Sequence, residues 1–228
     1  MEGNLENPSG RVSRLFTALC VLYVTCLLLS NLIAGKLIVF GGFVLQAADL
    51  LFPLTYVLAD VFTEVYGFRN SRFVIWLGFL CNFFAVGICL LAVGLPHPGF
   101  WTGQEAYETV FAMTPRIFGA SLLAYLIGEF SNSVVLSKMK VAMSGRRLWV
   151  RTVVSSIVGE GLDTVIFTTL AFAGLVRTDV LVQMIALQYC WKLAYEVILT
   201  PVTYRVVGWL KAKERLDIYD RDIRYTIF

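Results

Sequence analysis

The sequence predicts an all-α membrane protein of six transmembrane helices with both termini on the cytoplasmic side. Three observations carry that prediction. Of the 228 residues, 58% are hydrophobic and 15% are charged, whereas soluble domains carry about 25% charged residues. Six apolar segments reach the roughly 20 residues that a hydrocarbon core about 30 Å thick demands of a helix. Lys and Arg then alternate loop by loop between rich and poor, as they do when the rich loops stay on the cytoplasmic side. So many spans leave no room for a separate nucleotide-binding, catalytic or receptor domain, and 1–228 reads as a single six-helix domain.

Taken in order, residues 1–13 form a polar cytoplasmic tail holding acids as well as Arg11, which lacks the form of a cleaved signal peptide. The spans lie near 15–33, 51–67, 73–94, 117–136, 153–176 and 182–207. After the first, Leu37 to Phe40 and Phe43 to Gln46 flank Gly41 and Gly42, the pattern of a tight hairpin on the external side; an irregular continuation of the first span is the alternative. After the third, Pro96 to Pro115 carries Phe100, Trp101, Tyr107 and Phe111, aromatics suited to an interfacial segment at the lipid headgroups. Residues 211–228 are mixed in charge and read as a solvated cytoplasmic tail. With the N-terminus inside, fifteen of the nineteen Lys and Arg fall in inside segments. Lys36, Arg116 and Arg177 fall outside, and Lys192 lies within the sixth span.

Several chemistries are excluded at this level. The cysteines at 20, 26, 81, 89 and 190 all sit in apolar runs and read as small core residues rather than a disulfide framework. His97 is the one histidine and lies in a loop, which removes zinc sites of the H-E-x-x-H type. No P-loop pattern is present. No metal, cofactor or catalytic residue is expected. An intramembrane hydrolase built on paired carboxylates is the distant alternative, since no activated Ser or Cys accompanies a histidine in the spans.

The informative residues are ionisable groups inside the spans, where each costs about 2.5 kcal/mol or more to bury and marks function by default. Asp60 and Glu64 share a face at i, i+4 spacing, with Tyr56 one turn earlier. Glu129 and Asn132, and likewise Glu160 and Asp163, are spaced i, i+3. Gln188, Lys192 and Glu196 stack at four-residue intervals. Each group has a plainer reading. Lys192 and Glu196 could pair with each other, Glu64 could reach Arg69 or Arg72, and Asn132 could bond a neighbouring helix. Asp60, Glu129 and Asp163 have no cation in local reach. Arg116 and Arg151 read as headgroup or loop contacts at span ends. Six carboxylates facing one lysine cannot all be ionised in a low-dielectric interior, so some must hold protons or meet donors from outside. Such a cavity disfavours an anion. It suits a cation, or a flat heterocycle with several N–H donors, stacked on Tyr56, Tyr125, Tyr189 or Trp191.

The run Phe52-Pro-Leu-Thr-Tyr-Val-Leu-Ala-Asp60-Val-Phe-Thr-Glu64-Val-Tyr-Gly67 resembles the signature of the queuosine precursor transporter family, also called the vitamin uptake transporter family. So do Ser121 to Glu129, Gly159 to Thr164, Tyr189-Cys-Trp-Lys192 and Thr200-Pro201, so that the resemblance spans residues 14 to 220. It implies a multi-pass protein of the bacterial cytoplasmic (inner) membrane that imports 7-deazaguanine bases (cyano or aminomethyl form, or queuine) for queuosine modification of tRNA. It implies a substrate site drawn from Asp60, Glu64, Glu129, Asn132, Glu160, Asp163, Gln188, Tyr189 and Lys192. Family members often carry glutamine where this chain has Glu129, aspartate where it has Asn132, and an amide where it has Glu160, so the charges here are arranged differently. The family is similar in outline to the substrate-binding subunits of energy-coupling-factor vitamin importers, which keeps a binding subunit with a separate energising module as the alternative. The expected partners are a nucleobase-like small molecule and membrane lipid, with a homodimer left open. Nucleic acid is not expected, because the basic residues follow topology and form no phosphate-tracking patch.

Overall fold

The computed structural model describes residues 13–33, 36–40, 43–111, 115–221 and 223–227. The chain runs through α1 (Arg14–Ile33), a two-stranded antiparallel hairpin of β1 (Leu37–Phe40) and β2 (Phe43–Gln46), and a 3-10 turn at Ala47–Leu50. Then come α2 (Phe52–Val61), a π-helical turn at Phe62–Tyr66, α3 (Gly67–Gly94), α4 (Gln104–Phe111), α5 (Pro115–Ala142), α6 (Leu148–Phe172) and α7 (Thr178–Glu214). The hairpin pairs Leu37 with Gln46 through Phe40 with Phe43, so the strands form where expected. The turn residues Gly41 and Gly42 lie outside the described residues. A helix forms within the aromatic loop as α4, and none of its residues is buried.

Phe52–Gly94 reads as one apolar run, yet the chain doubles back within it. Pro53 opens α2, where its missing N–H costs nothing, and Gly67 ends the arm at φ 78° and ψ 167°, a conformation open to glycine. Thr63 Oγ1 then donates to Ser71 Oγ at 2.9 Å. Eight residues along a straight helix would separate those groups by about 12 Å, so the chain turns sharply at this bend. Phe16 meets the rings of Phe62 and Tyr66 at 5.5 and 4.9 Å in edge-on contacts, which seats α1 against this bend.

The bundle shows large apolar side chains to its surroundings and buries ionisable groups beside its apolar core. Phe84 and Ile198 are 69% and 72% exposed, while Asp60, Glu64, Glu129, Asn132 and Glu160 are each 1% exposed or less. Such an arrangement is stable when the surroundings are hydrocarbon. Among the described residues, four helical stretches are long and apolar enough to cross a bilayer: Arg14–Ile33, Phe52–Gly94, Gln104–Ala142 and Leu148–Phe172. Although α7 has 37 residues, it is not among them, because Gln188, Lys192 and Glu196 dilute its hydropathy.

The segments expected inside converge on one end of the bundle. Ser13 donates to Glu214 at 2.5 Å, Arg72 to the Thr226 carbonyl at 3.0 Å, Ser137 to Asp220 at 2.5 Å, and Lys140 pairs with Asp217 at 2.6 Å. At the far end of α5, Arg116 donates to the Leu170 and Ala173 carbonyls and caps α6. The C-terminal segment is not the free solvated tail its mixed charge suggests. Its Ile218 amide reaches the Val65 carbonyl, Asp220 accepts from the Phe68 amide at 2.8 Å, and the Trp76 indole donates to the Ile227 carbonyl at 2.8 Å. Its polar groups find partners in the backbone freed at the Gly67 bend, a pairing that composition does not reveal.

Candidate functional site

Two glycines bring the acids together. A Cβ placed on Gly128 would lie 2.8 Å from the Asp163 Cβ and 3.0 Å from the Gly159 carbonyl oxygen, and one on Gly159 would lie 2.6 Å from the Asn132 Cβ. Small residues at a crossing allow close backbone approach inside a membrane, and here they set α5 directly on α6. Glu129 follows Gly128 and Glu160 follows Gly159 in the chain, so the crossing carries both acids into the interior.

The neighbouring helices complete the cluster. Asn132 on α5 donates to Asp60 Oδ1 on α2 at 2.7 Å. Lys192 on α7 donates to Asp163 Oδ2 on α6 at 2.6 Å and to Thr164 Oγ1 at 3.3 Å, with its ammonium 5.0 Å from the centre of the Phe52 ring. That geometry overturns the local Lys192–Glu196 pair. An i, i+4 partner lies along the same helix, whereas Lys192 points across to α6 and leaves both Glu196 oxygens without a hydrogen-bond partner. The charges acting on Asp60 include Glu196, Glu129 and Glu160, and those acting on Glu129 include Asp163, Glu160 and Lys192. Asp60, Glu129, Glu160, Asp163, Lys192 and Glu196 are therefore one electrostatic unit. At its margin, Gln188 accepts from Thr168 at 3.3 Å and Tyr189 donates to the Ile157 carbonyl at 3.2 Å, its ring lying over Gly161.

Glu64 is placed elsewhere. Arg151 binds it with two nitrogens, at 2.9 and 3.1 Å, and Lys211 adds a 2.6 Å contact. Lys140 lies 3.8 Å from the carboxylate and donates to the Glu64 and Ile218 carbonyls at 2.5 and 2.7 Å. Neither Arg69 nor Arg72 is the partner, because the bend at Gly67 turns α3 away from the Glu64 side chain. Glu64 is thus fully neutralised within the end cluster. Arg151, read from sequence as a headgroup or loop contact at a span end, is 1% exposed; the signal that could have found it is a bidentate donor placed near the start of a span, facing an acid near the end of another. In the same cluster, burial pushes the Asp217 carboxyl up, while hydrogen bonds from Lys140 and Lys211 outweigh it and hold the group below its ordinary 3.8. Among the described residues, no group of three or more His, Cys, Asp or Glu is arranged to hold a metal ion.

Among the described residues, seven buried carboxyl and amide oxygens have no hydrogen-bond partner: Asp60 Oδ2, Glu129 Oε2, Asn132 Oδ1, and both oxygens of Glu160 and of Glu196. Buried polar atoms rarely stay unsatisfied in a resting protein, so this arrangement can take donors from a guest molecule.

Residues 46–206 match the family described as "Putative vitamin uptake transporter". The chain is 29% identical over 188 residues, 82% of each chain, to a "Probable queuosine precursor transporter" of Bacillus subtilis (strain 168). It is 22% identical over 207 residues, 90% of each chain, to the "Queuosine precursor transporter" of Escherichia coli (strain K12). No solved structure matches it.

Proposed function

The chain belongs to the vitamin uptake transporter family, a multi-pass transporter of the bacterial cytoplasmic membrane, and from that premise we propose that it imports a 7-deazaguanine queuosine precursor. The observation that carries the reading is the set of open buried acceptors where α2, α5, α6 and α7 meet. A guanine-type base offers its ring imino N–H and exocyclic amine side by side, and a carboxylate accepts both as it accepts a bidentate arginine. The site residues proposed are Asp60, Glu129, Asn132, Glu160, Asp163, Gln188, Tyr189 and Lys192, with Glu64 assigned to the end cluster instead. A crossing count of six, with N- and C-termini cytoplasmic, accounts for the bend at Gly67 and for the convergence of Ser13, Arg72, Lys140 and the C-terminal segment on one end. Import by alternating exposure of a site at the bundle centre needs no chemical step and no enzyme activity.

The test is cellular. A bacterium deprived of its own precursor synthesis and uptake regains queuosine in its tRNA when this chain is expressed and the base is supplied outside. Failure to restore it at normal membrane levels of the protein contradicts the reading.

A further inference from the structure

We propose that the site selects the aminomethyl, ammonium-bearing 7-deazaguanine over the cyano form. The inference rests on the import reading above and deepens it. Its ground is an imbalance between acceptors and donors in a closed interior. Asp60, Glu129, Glu160, Asp163 and Glu196 are at most 5% exposed, and the cation among them, Lys192, is already bound to Asp163 and Thr164. Asn132 supplies its amide N–H to Asp60 and leaves its own carbonyl oxygen open, itself 0% exposed. That open amide oxygen is independent of the acids and also asks for a donor. Glu64 does not enter the balance, because Arg151 and Lys211 neutralise it at the bundle end.

Seven open acid and amide oxygens, and more acids than cations, set the demand on a guest. Both precursor forms share the imino N–H, the exocyclic amine and the pyrrole N–H. They differ at the substituent on the five-membered ring. The aminomethyl group is a cation with three further donors, whereas the nitrile is neutral and brings another acceptor. Placed among carboxylates, an ammonium gains charge-assisted hydrogen bonds, and a nitrile meets lone pairs that repel it. Discrimination by a site whose buried polar groups would be left unpaired is strong. Glu160 is the nominated partner of the ammonium. Both its oxygens are open, it is 0% exposed, and it follows Gly159 at the close crossing of α6 with α5.

Equilibrium binding of both bases to the purified full chain in lipid nanodiscs tests this. The expected result is that the aminomethyl base binds at least tenfold more tightly than the cyano base, and that Glu160→Gln brings the two within about threefold, mainly by weakening the aminomethyl base. Equal or tighter binding of the cyano base by the wild-type chain overturns the selectivity while leaving import intact. Selectivity that Glu160→Gln does not change overturns the assignment to that residue. Should Glu160→Gln not fold, the wild-type ratio alone decides the selectivity. Absence of binding by either base overturns the import reading itself.

Discussion

At the scale of single residues, the pairing of Lys192 decides how the interior is balanced. Its partner is Asp163, 29 positions away in sequence, so removing one charge strands the other in a low-dielectric interior at a cost of about 3–5 kcal/mol. Lys192→Met and Asp163→Asn should each lower the amount of folded protein in the membrane, and the double substitution should recover much of the loss. Lys192→Met combined with Glu196→Gln should recover nothing. Solubilised protein measured by fluorescence-detected gel filtration distinguishes these, and recovery with Glu196→Gln would restore the local pair. The spacing of Gln188, Lys192 and Glu196 made a lysine in a polar stripe legible. Its partner was not, since sequence spacing reports neighbours along one helix and is silent across helices. The same silence hid the ion-pair partners of Glu64: Arg69 is near it in sequence, but Arg151 and Lys211 are near it in space.

At the scale of elements, close approach and reversal both depend on glycine. Replacing Gly159 with alanine puts a methyl group 2.6 Å from the Asn132 Cβ and 2.9 Å from the Gly128 carbonyl oxygen, and both of these belong to α5 rather than to a flexible tip. The helices must separate, so Gly159→Ala should weaken base binding about tenfold or more, whereas Gly119→Ala, where nothing lies within 4 Å, should leave it unchanged. Titration calorimetry reads both. The C-terminal segment is fastened by Asp217 and Asp220. Because the Asp217 carboxyl is held below its ordinary value, its contribution is complete at neutral pH and is lost as pH falls below the usual carboxylate range. Limited proteolysis should find the segment protected at pH 7 and opened in Asp217→Asn at the same pH; equal protection in both would show that Asp220 and the backbone contacts suffice. The first helix was readable from its apolar run, since α1 begins and ends within a residue of the predicted span, whereas α7 continues to Glu214, past the predicted end at 207. The docking of the tail was not, because its partners are backbone groups exposed only by the turn at Gly67.

At the scale of the whole molecule, the fold class was legible because composition and charge alternation act over the full length and need no knowledge of packing. The structure adds that the basic segments meet at one end, which the alternation requires but cannot display. Cysteine labelling from outside, in a cysteine-free background, should modify a cysteine at position 97 and spare one at position 213; the opposite pattern would invert the bundle. The buried acceptors are proposed as the transport site of a self-sufficient carrier. Uptake of labelled 7-deazaguanine base by proteoliposomes holding this chain alone tests it most directly, with Asp60→Asn and Glu129→Gln measured beside the wild type at equal protein content. Saturable uptake by the wild-type chain is expected, with at least a tenfold loss of apparent affinity in each variant. Uptake that needs an added ATP-driven module, or that both variants sustain unchanged, would contradict it.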